Sequence, residues 1–222
     1  TEMGCEAFKG NFPKRDNAAV WALREAGAII LGKVTTAELG GSHPPATTNP
    51  FDPARTAGGS SSGSAAAIGA GMVPAAIGSQ VGGSIIRPAA FCANFALKPT
   101  QGTINRGERQ ATSQSTHGPH AASLEDMWQV GIEIAKRAGG DRGCIPLSGP
   151  DTPPEPAKPA RVIVLETEGW PEIDDATRSV FETLMERLAA SGVRLIRRKD
   201  HPLVEALEQS IANGRHVSGS IT

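Results

Sequence analysis

The stretch that decides the fold is residues 58–100, which read GGSSSGSAAAIGAGMVPAAIGSQVGGSIIRPAAFCANFALKPT and hold six serines and eight glycines. Residues 64–72 are rich in Ala and predict a buried helix, and residues 73–80 predict a buried strand after it. A flexible Gly/Ser linker would lack this apolar core pattern. The stretch is therefore predicted to lie inside a folded domain.

Helical and extended patterns also precede this stretch. The segment DNAAVWALREAG predicts a helix with Asp16 as its N-cap and Gly27 as its C-terminal stop. Residues 28–33, AIILGK, are short and rich in branched aliphatic side chains, so they predict a buried strand. Residues 35–58 predict a long loop, because they are mostly Pro, Thr, Asn and Gly.

Downstream, helical and extended patterns alternate again. Ser123 and Asp126 match a capping box ahead of a helix over MWQVGIEIAKRAG. The later predicted elements are a Pro-rich linker at 149–160, a strand at 161–166, a helix at 174–192, a strand at 193–198 and an amphipathic stretch around 202–212. This alternation predicts an α/β fold, a layered mixed β-sheet flanked by helices. It divides into a core at 1–148, the linker, and a strand–helix segment at 161–222.

Bulk composition excludes several kinds of partner. The chain has 222 residues, a formal net charge of −1 and a pI near 6.5, and its Lys and Arg form no basic block. We therefore expect neither nucleic acid nor a membrane as a partner. The cysteines Cys5, Cys92 and Cys144 lack the spacing of a metal or redox site, which predicts no metal and a reducing, cytoplasmic location. The sequence shows neither a transmembrane run nor a signal-peptide pattern.

Three known motifs are rich in glycine and serine, and none of them fits this stretch well. No Gly-Lys pair follows the glycines as a phosphate-binding loop requires, and GAGMVP fails the dinucleotide fingerprint, so no cofactor is expected. Residues 59–63 match the G-x-S-x-G nucleophile elbow with Ser61 at its centre, and His117 or His120 would complete a Ser–His–Asp triad. The elbow needs a preceding strand, however, and NPFDPARTA predicts none. We also interpret STHGPH as a Gly/Pro loop with surface histidines.

A longer pattern resembles the signature of the amidase signature hydrolases. It comprises residues 58–100, LREAGAIILGKVTTAEL and TTNPFDPARTAGGSS upstream, and SQSTHGPHAASLEDMW downstream. About residues 17–130 are covered in order with matching spacing. That family splits a carboxamide C–N bond with a serine nucleophile and without a histidine. The resemblance implies the fold of that family, a layered mixed β-sheet flanked by helices. It also implies the hydrolysis of small linear amides through a serine acyl-enzyme.

The same resemblance implies the site residues. Ser84, in VGGSIIRP, matches the nucleophile, and Ser60 matches a bridging serine held in a cis peptide. The N–H groups of Val81, Gly82 and Gly83 match an oxyanion hole, and glycine allows neighbouring N–H groups to turn toward one point. The chemistry agrees, because a serine that both donates and accepts hydrogen bonds can pass the proton of a nucleophile to a neutral lysine.

The sequence departs from the resembling family at a few positions. Gln80 stands where many members have Asp, and Ser62 stands where Gly is more frequent, which we interpret as marks of a subgroup. Arg87 and Asn94 are predicted to pack near the nucleophile and to take no part in the chemistry.

No lysine of this chain matches the catalytic lysine of the family. That lysine lies well upstream of the first signature serine, in a segment that would precede Thr1. Lys33 follows a predicted strand but corresponds to a non-catalytic position. Because the chain starts with Thr1 and stops abruptly at VSGSIT, we expect a piece of a longer amidase, truncated at both ends and inactive alone.

Two other functions stay open on the sequence. An amidotransferase component would use the same serines to release ammonia from glutamine or asparagine for a partner enzyme. A non-catalytic binding module with an amidase-like fold would lack the lysine in its full-length form as well. The main prediction, an amide hydrolase, implies a small-molecule amide as the partner and is compatible with a homo-oligomer.

Overall fold

The computed structural model describes the backbone of residues 1–107 and 114–218, with side chains up to residue 213. The chain divides into two compact units, Thr1–Pro154 and Glu155–Thr222. The helices and strands of the first unit are α1 (Ala18–Glu25), α2 (Ser62–Gly69), β1 (Ala75–Gln80), α3 (Ile86–Phe91), β2 (Phe95–Ala96), β3 (Thr116–Ala121) and α4 (Leu124–Ala138). Those of the second unit are β4 (Arg161–Ile163), α5 (Asp175–Ala190), β5 (Arg194–Ile196) and α6 (Pro202–Ser218). Helices and small sheets thus confirm the predicted mixed α/β class.

The sheet of the first unit is antiparallel, with strand order β1-β3-β2. Its register pairs Gln80 with Thr116 at one end of β1 and Ala75 with Ala121 at the other. The central strand, β3, is the segment that the sequence predicted as a surface loop, so that prediction is wrong. Gly118 has no Cβ to collide with the carbonyl oxygen of Leu97, and the carbonyl of Pro119 accepts a hydrogen bond from the Leu97 N–H at 3.1 Å.

Helices cover both faces of this sheet. Helix α4 packs against β3, and α1 packs against α4, with a core of Ala19, Ala22, Ile104 and Ile134. Helix α2 contacts β1 and β3 from the other face. A Cβ on Gly78 would meet the hydroxyl of Ser61, the N-cap of α2, whereas the neighbouring Ile77 packs into the core formed with α1 and α4. The α2 side chains are so small that six of its eight residues are buried: Ser62, Gly63, Ser64, Ala65, Ala67 and Ile68.

The helix caps of the first unit agree with the sequence in one case and differ in the other. The structure confirms the capping box, because the Ser123 hydroxyl accepts from the Asp126 N–H at 3.0 Å. The cap of α1 is Asn17, whose side chain accepts from the Ala19 N–H at 2.9 Å, and not Asp16, which pairs with Arg24.

The predicted buried strand at residues 28–33 is absent from the described chain. Ile29 is 85% exposed and Leu31 is 73% exposed. A strand needs a partner for its backbone groups, and no described segment pairs with these residues. The apolar pattern alone therefore did not determine a strand.

The second unit contains a short parallel sheet. Strands β4 and β5 pair in register from Arg161 opposite Arg194 to Ile163 opposite Ile196, and α5 lies between them in the chain. The side chain of Asp174 caps α5 by accepting from the Thr177 N–H at 2.7 Å. No helix in the described part of the chain is long and apolar enough to cross a membrane.

Candidate active site

Hydrogen bonds from neighbouring segments hold the main chain at Gly59 and Ser60. The peptide bond between Gly59 and Ser60 is cis, as the resemblance implies for this position. The Ser60 carbonyl accepts hydrogen bonds from the Ala37 N–H at 3.0 Å and from the Thr36 hydroxyl at 2.9 Å. The Gly59 carbonyl accepts two from the guanidinium of Arg87, at 3.1 and 2.8 Å. The carbonyl of this peptide bond and the carbonyl that follows it are thus both fixed.

A backbone hydrogen bond brings the two predicted catalytic serines to the same place. The Ser61 N–H donates to the Ser84 carbonyl at 3.2 Å, so the segment that carries Ser60 lies beside the one that carries Ser84. Ser60 and Ser84 are both buried, at 4% and 9% exposure. Within the described residues, neither hydroxyl has a hydrogen-bond partner. Both hydroxyls are therefore available for other contacts.

The remaining serines of α2 and its N-cap differ in this respect. The Ser62 hydroxyl donates to the Gly58 carbonyl at 2.6 Å, and the Ser64 hydroxyl donates to the Ile77 carbonyl at 2.8 Å. The Ser61 hydroxyl accepts from the Ser79 N–H at 3.2 Å. These serines hold α2 to its own start and to β1.

The predicted oxyanion loop leaves the sheet at the end of β1. Val81 and Gly82 are exposed, and Gly83 has a φ of +114°, a conformation that favours glycine. Across the described ranges, nothing accepts a hydrogen bond from the N–H groups of Val81, Gly82 or Gly83. These donors are free to bind an external acceptor, which is the property that an oxyanion hole requires.

Two residues that the sequence assigned no chemistry hold this loop. The side-chain oxygen of Gln80 accepts from the N–H groups of Ile85 at 2.8 Å and Ile86 at 3.0 Å. The backbone N–H of Arg87 donates to the Gly83 carbonyl at 2.8 Å. In the sequence, the only sign of this contact is a long amide side chain five residues before Ile85. No spacing rule predicts the loop geometry that brings that side chain to the Ile85 and Ile86 N–H groups.

A buried histidine lies under the site. His120 is fully buried, neither ring nitrogen has a hydrogen-bond partner in the described structure, and burial lowers its pKa to about 4. A Cβ placed on Gly78 would lie 2.7 Å from its Nε2 and 2.8 Å from the Ser61 hydroxyl. The prediction that this histidine is a surface residue is therefore wrong.

The other histidine of β3 is partly buried on the face that α4 covers. Burial and the positive charge of Arg106 lower the pKa of His117, and Asp141 partly opposes the shift. Neither histidine supports the elbow alternative, because Ser61 follows Ser60 and not a strand, and its hydroxyl binds the β1 main chain.

All seven lysines of the chain are exposed. Lys33 donates to the Thr1 hydroxyl at 3.2 Å, and Lys9 pairs with Glu6 at 2.9 Å. A lysine base must be neutral near pH 7, which requires an environment that disfavours its charged form. An exposed side chain lacks that environment, so none of these lysines suits the role.

The second unit contains two cavities, of about 390 and 310 Å³. Both are lined by residues of that unit alone, far along the chain from the serines. Within residues 1–107 and 114–218, no group of three or more His, Cys, Asp or Glu side chains could hold a metal ion. The grouping of serines and free N–H groups in the first unit is therefore the better candidate for an active site.

Comparison with known proteins assigns this mixed α/β chain to a family of amide-cleaving enzymes. The family model named Amidase matches residues 1–218. The chain therefore belongs to the amidase family, whose signature the sequence resembles.

Curated relatives are components of an amidotransferase. The glutamyl-tRNA(Gln) amidotransferase subunit from Thermus thermophilus is 42% identical over 57% of this chain, which is 29% of the relative's length. Its counterpart from Chloroflexus aggregans is 35% identical over 84% of this chain and 41% of the relative. The chain thus spans well under half the length of these relatives.

Solved structures share the fold. The glutamyl-tRNA(Gln) amidotransferase subunit from Thermotoga maritima covers the whole chain with a TM-score of 0.73 and 26% identity, over 55% of its own length. A peptide amidase in complex with the inhibitor chymostatin covers 89% of this chain and 44% of its own, with a TM-score of 0.68 and 27% identity.

Proposed function

We propose that this chain supplies the nucleophile, the bridging serine and the oxyanion-binding N–H groups of an amide-cleaving enzyme. The observation that carries the proposal is that Ser60 and Ser84 lie in adjacent, fixed segments with hydroxyls that no described group engages. The neighbouring serines Ser61, Ser62 and Ser64 all use their hydroxyls to bind main chain. Ser84 attacks the amide carbon, and Ser60 passes its proton toward a base.

The free N–H groups of Val81, Gly82 and Gly83 stabilise the oxygen that becomes negative during the attack. Donors aimed at such an oxygen are each worth roughly 10²–10³ in rate. The leaving nitrogen takes a proton and departs as ammonia or an amine, and water then releases the acyl group from Ser84. The base is a lysine from outside residues 1–222, because the lysines of this chain are exposed.

The named relatives favour one use of this chemistry over the other. The curated relatives described above are amidotransferase components, which supports release of ammonia from glutamine for a partner protein. The likeness to a peptide amidase supports stand-alone hydrolysis as the second candidate. The order predicted from sequence, with the stand-alone hydrolase first, is therefore reversed here.

A serine-directed fluorophosphonate tests the nucleophile in the whole protein that contains this chain. We expect one adduct, on Ser84, by mass spectrometry, and none in Ser84→Ala. Ser60→Ala should lower turnover by about 10²–10⁴, the range for a lost acid–base element. Ser64→Ala is the matched control, because it removes only a hydroxyl bound to the Ile77 carbonyl. An adduct on Ser61 would contradict the assignment.

The two candidate functions differ in their substrates and partners. Ammonia release from glutamine that rises when partner proteins and an acceptor are added supports the amidotransferase. Equal turnover of simple amides with and without partners supports the hydrolase. If the whole protein forms no adduct and releases no ammonia, the non-catalytic binding module is the remaining function.

A further inference from the structure

We propose that Gln80 is a positioning residue that sets the geometry of the loop carrying Ser84 and the free N–H groups. The inference rests on the function proposed above, since it assigns a role within the same site. Its basis is the single side-chain oxygen that receives hydrogen bonds from Ile85 and Ile86, on the far side of the loop from Gln80 itself.

These bonds close the loop. Residues 81–84 lie between Gln80, the last residue of β1, and Ile85, which precedes α3. Gln80 is held in place because it pairs with Thr116 in the sheet. Its side chain then fixes the start of α3 relative to the end of β1, so both ends of the four-residue loop are tied at one atom.

The tie satisfies groups that have no other partner. The first N–H groups of a helix have no acceptor within the helix. Ile85 is fully buried, so its N–H would be costly to leave unpaired. Because the Arg87 N–H also binds the Gly83 carbonyl, a shift at the start of α3 would move Gly83 and Ser84 with it.

An acceptor is needed at this position, and a charge is not. The amide oxygen of Gln80 accepts both bonds while the side chain stays neutral. A carboxylate of the same length would accept the same pair. Methionine has a similar length but no oxygen, so it separates the acceptor from the size of the side chain.

The test uses the whole protein with Gln80→Met and Gln80→Glu. Gln129→Met is the matched control, because Gln129 is an exposed residue of α4. Three quantities are measured: amide hydrogen exchange of residues 81–87, kcat and KM for the amide substrate, and the rate of fluorophosphonate labelling at Ser84.

Gln80→Met should exchange faster at Ile85 and Ile86. Its kcat and labelling rate should fall about 100-fold, as expected when reacting groups are misplaced by about 1 Å, with KM changed less than about threefold. Gln80→Glu should return exchange and kcat to within about tenfold of the wild type, and Gln129→Met should change neither.

Two results would overturn the inference. One is a Gln80→Met protein with wild-type exchange at Ile85 and Ile86, whatever its activity. The other is faster exchange with unchanged kcat and labelling, which would make the tie irrelevant to the site. If the wild type itself neither labels at Ser84 nor cleaves amides, the proposed function fails, and the exchange of Ile85 and Ile86 still decides whether Gln80 holds the loop.

Discussion

At the scale of single residues, the polar side chains of the candidate site are of two kinds. Some bind backbone atoms and hold the main chain, and others have no hydrogen-bond partner among the described residues. Arg87 and Gln80, the long polar side chains next to the serines, both bind backbone atoms, the Gly59 carbonyl and the N–H groups of Ile85 and Ile86. The hydroxyls of Ser60 and Ser84 bind none of the described groups. Among the serines at 60–64 and 84, two hydroxyls thus have no described partner, because those of Ser61, Ser62 and Ser64 hold the main chain.

His120 makes stability depend on pH. Its pKa is lowered by burial from 6.5 to about 4, so below pH 6.5 the unfolded chain binds a proton that the folded chain does not. The free energy of unfolding should therefore fall as pH drops from 6.5 to 4, by about 3 kcal/mol from this group, and depend on it no further below that. Urea denaturation at several pH values measures this loss.

The matched variants for this measurement are His120→Leu and His43→Leu. The first should lose less stability between pH 6.5 and 4, with a remainder from His117, whose pKa is lowered as well. The second alters an exposed loop histidine and should behave as the wild type. Equal slopes in wild type and His120→Leu would show that the buried ring does not control the acid response.

At the scale of elements, α2 is built from side chains small enough to lie between the sheet and the loop before it. A Cβ on Gly63 would come within 2.6 Å of the Thr35 nitrogen and 2.8 Å of the Thr35 oxygen. These are backbone atoms of a chain segment that the Gly63 N–H itself binds at 3.0 Å. The helix and the loop approach each other as closely as main chains allow.

Two Gly→Ala substitutions in helices should therefore have opposite effects. Gly63→Ala should destabilise the protein by about 1–3 kcal/mol, the usual cost of overpacking. Gly131→Ala in α4 should stabilise it by up to about 1 kcal/mol through helix propensity, since its Cβ meets side chains only at 3.5 Å or more. Denaturant unfolding of both variants measures the difference, and two changes of the same sign would contradict the argument.

The sequence predicted the elements whose pattern is local. Helices α1, α4 and α5, the helix–strand step from α2 to β1, and strands β4 and β5 follow from periodicity and caps. It missed β3, because glycine and proline in THGPHA are poor strand formers and the strand depends on pairing with β1. It also predicted a strand at residues 28–33, for which the described chain provides no partner.

Only part of the candidate site could be predicted from the sequence. Ser60, Ser84 and the N–H groups of Val81, Gly82 and Gly83 were assigned by resemblance, and that assignment stays a prediction. The contacts of Gln80 and Arg87 were not predicted, because Gln80 binds N–H groups five and six residues away and Arg87 binds the Gly59 carbonyl 28 residues away. Only the folded chain brings these groups within reach.

At the scale of the whole molecule, the chain is an amidase-family polypeptide that spans 29–41% of the length of the two curated relatives described above. Its first unit carries the serines and the free N–H groups, and its second unit carries a parallel sheet and two cavities. The proposed reaction also needs a neutral base, and every lysine of the chain is exposed.

Residues 1–222 alone should therefore show no more than trace amidase activity. Ser84 keeps its proton without a neutral amine nearby, so only the oxyanion loop and substrate binding remain to help. The assay compares this span with the longer protein on aliphatic and aromatic amides and on glutamine. Equal turnover would place the base within the chain, and Lys33→Ala would then be the first variant to examine.

The glycines that have no room for a side chain have a consequence for how such proteins vary. A Cβ on Gly69 would collide with the Cys92 carbonyl, one on Gly78 with the His120 ring, and one on Gly118 with the Leu97 carbonyl. None of them needs to touch a substrate. In a map of tolerated mutations these glycines should nevertheless be as invariant as Ser60 and Ser84, so intolerance to mutation around the candidate site reports space as much as catalysis.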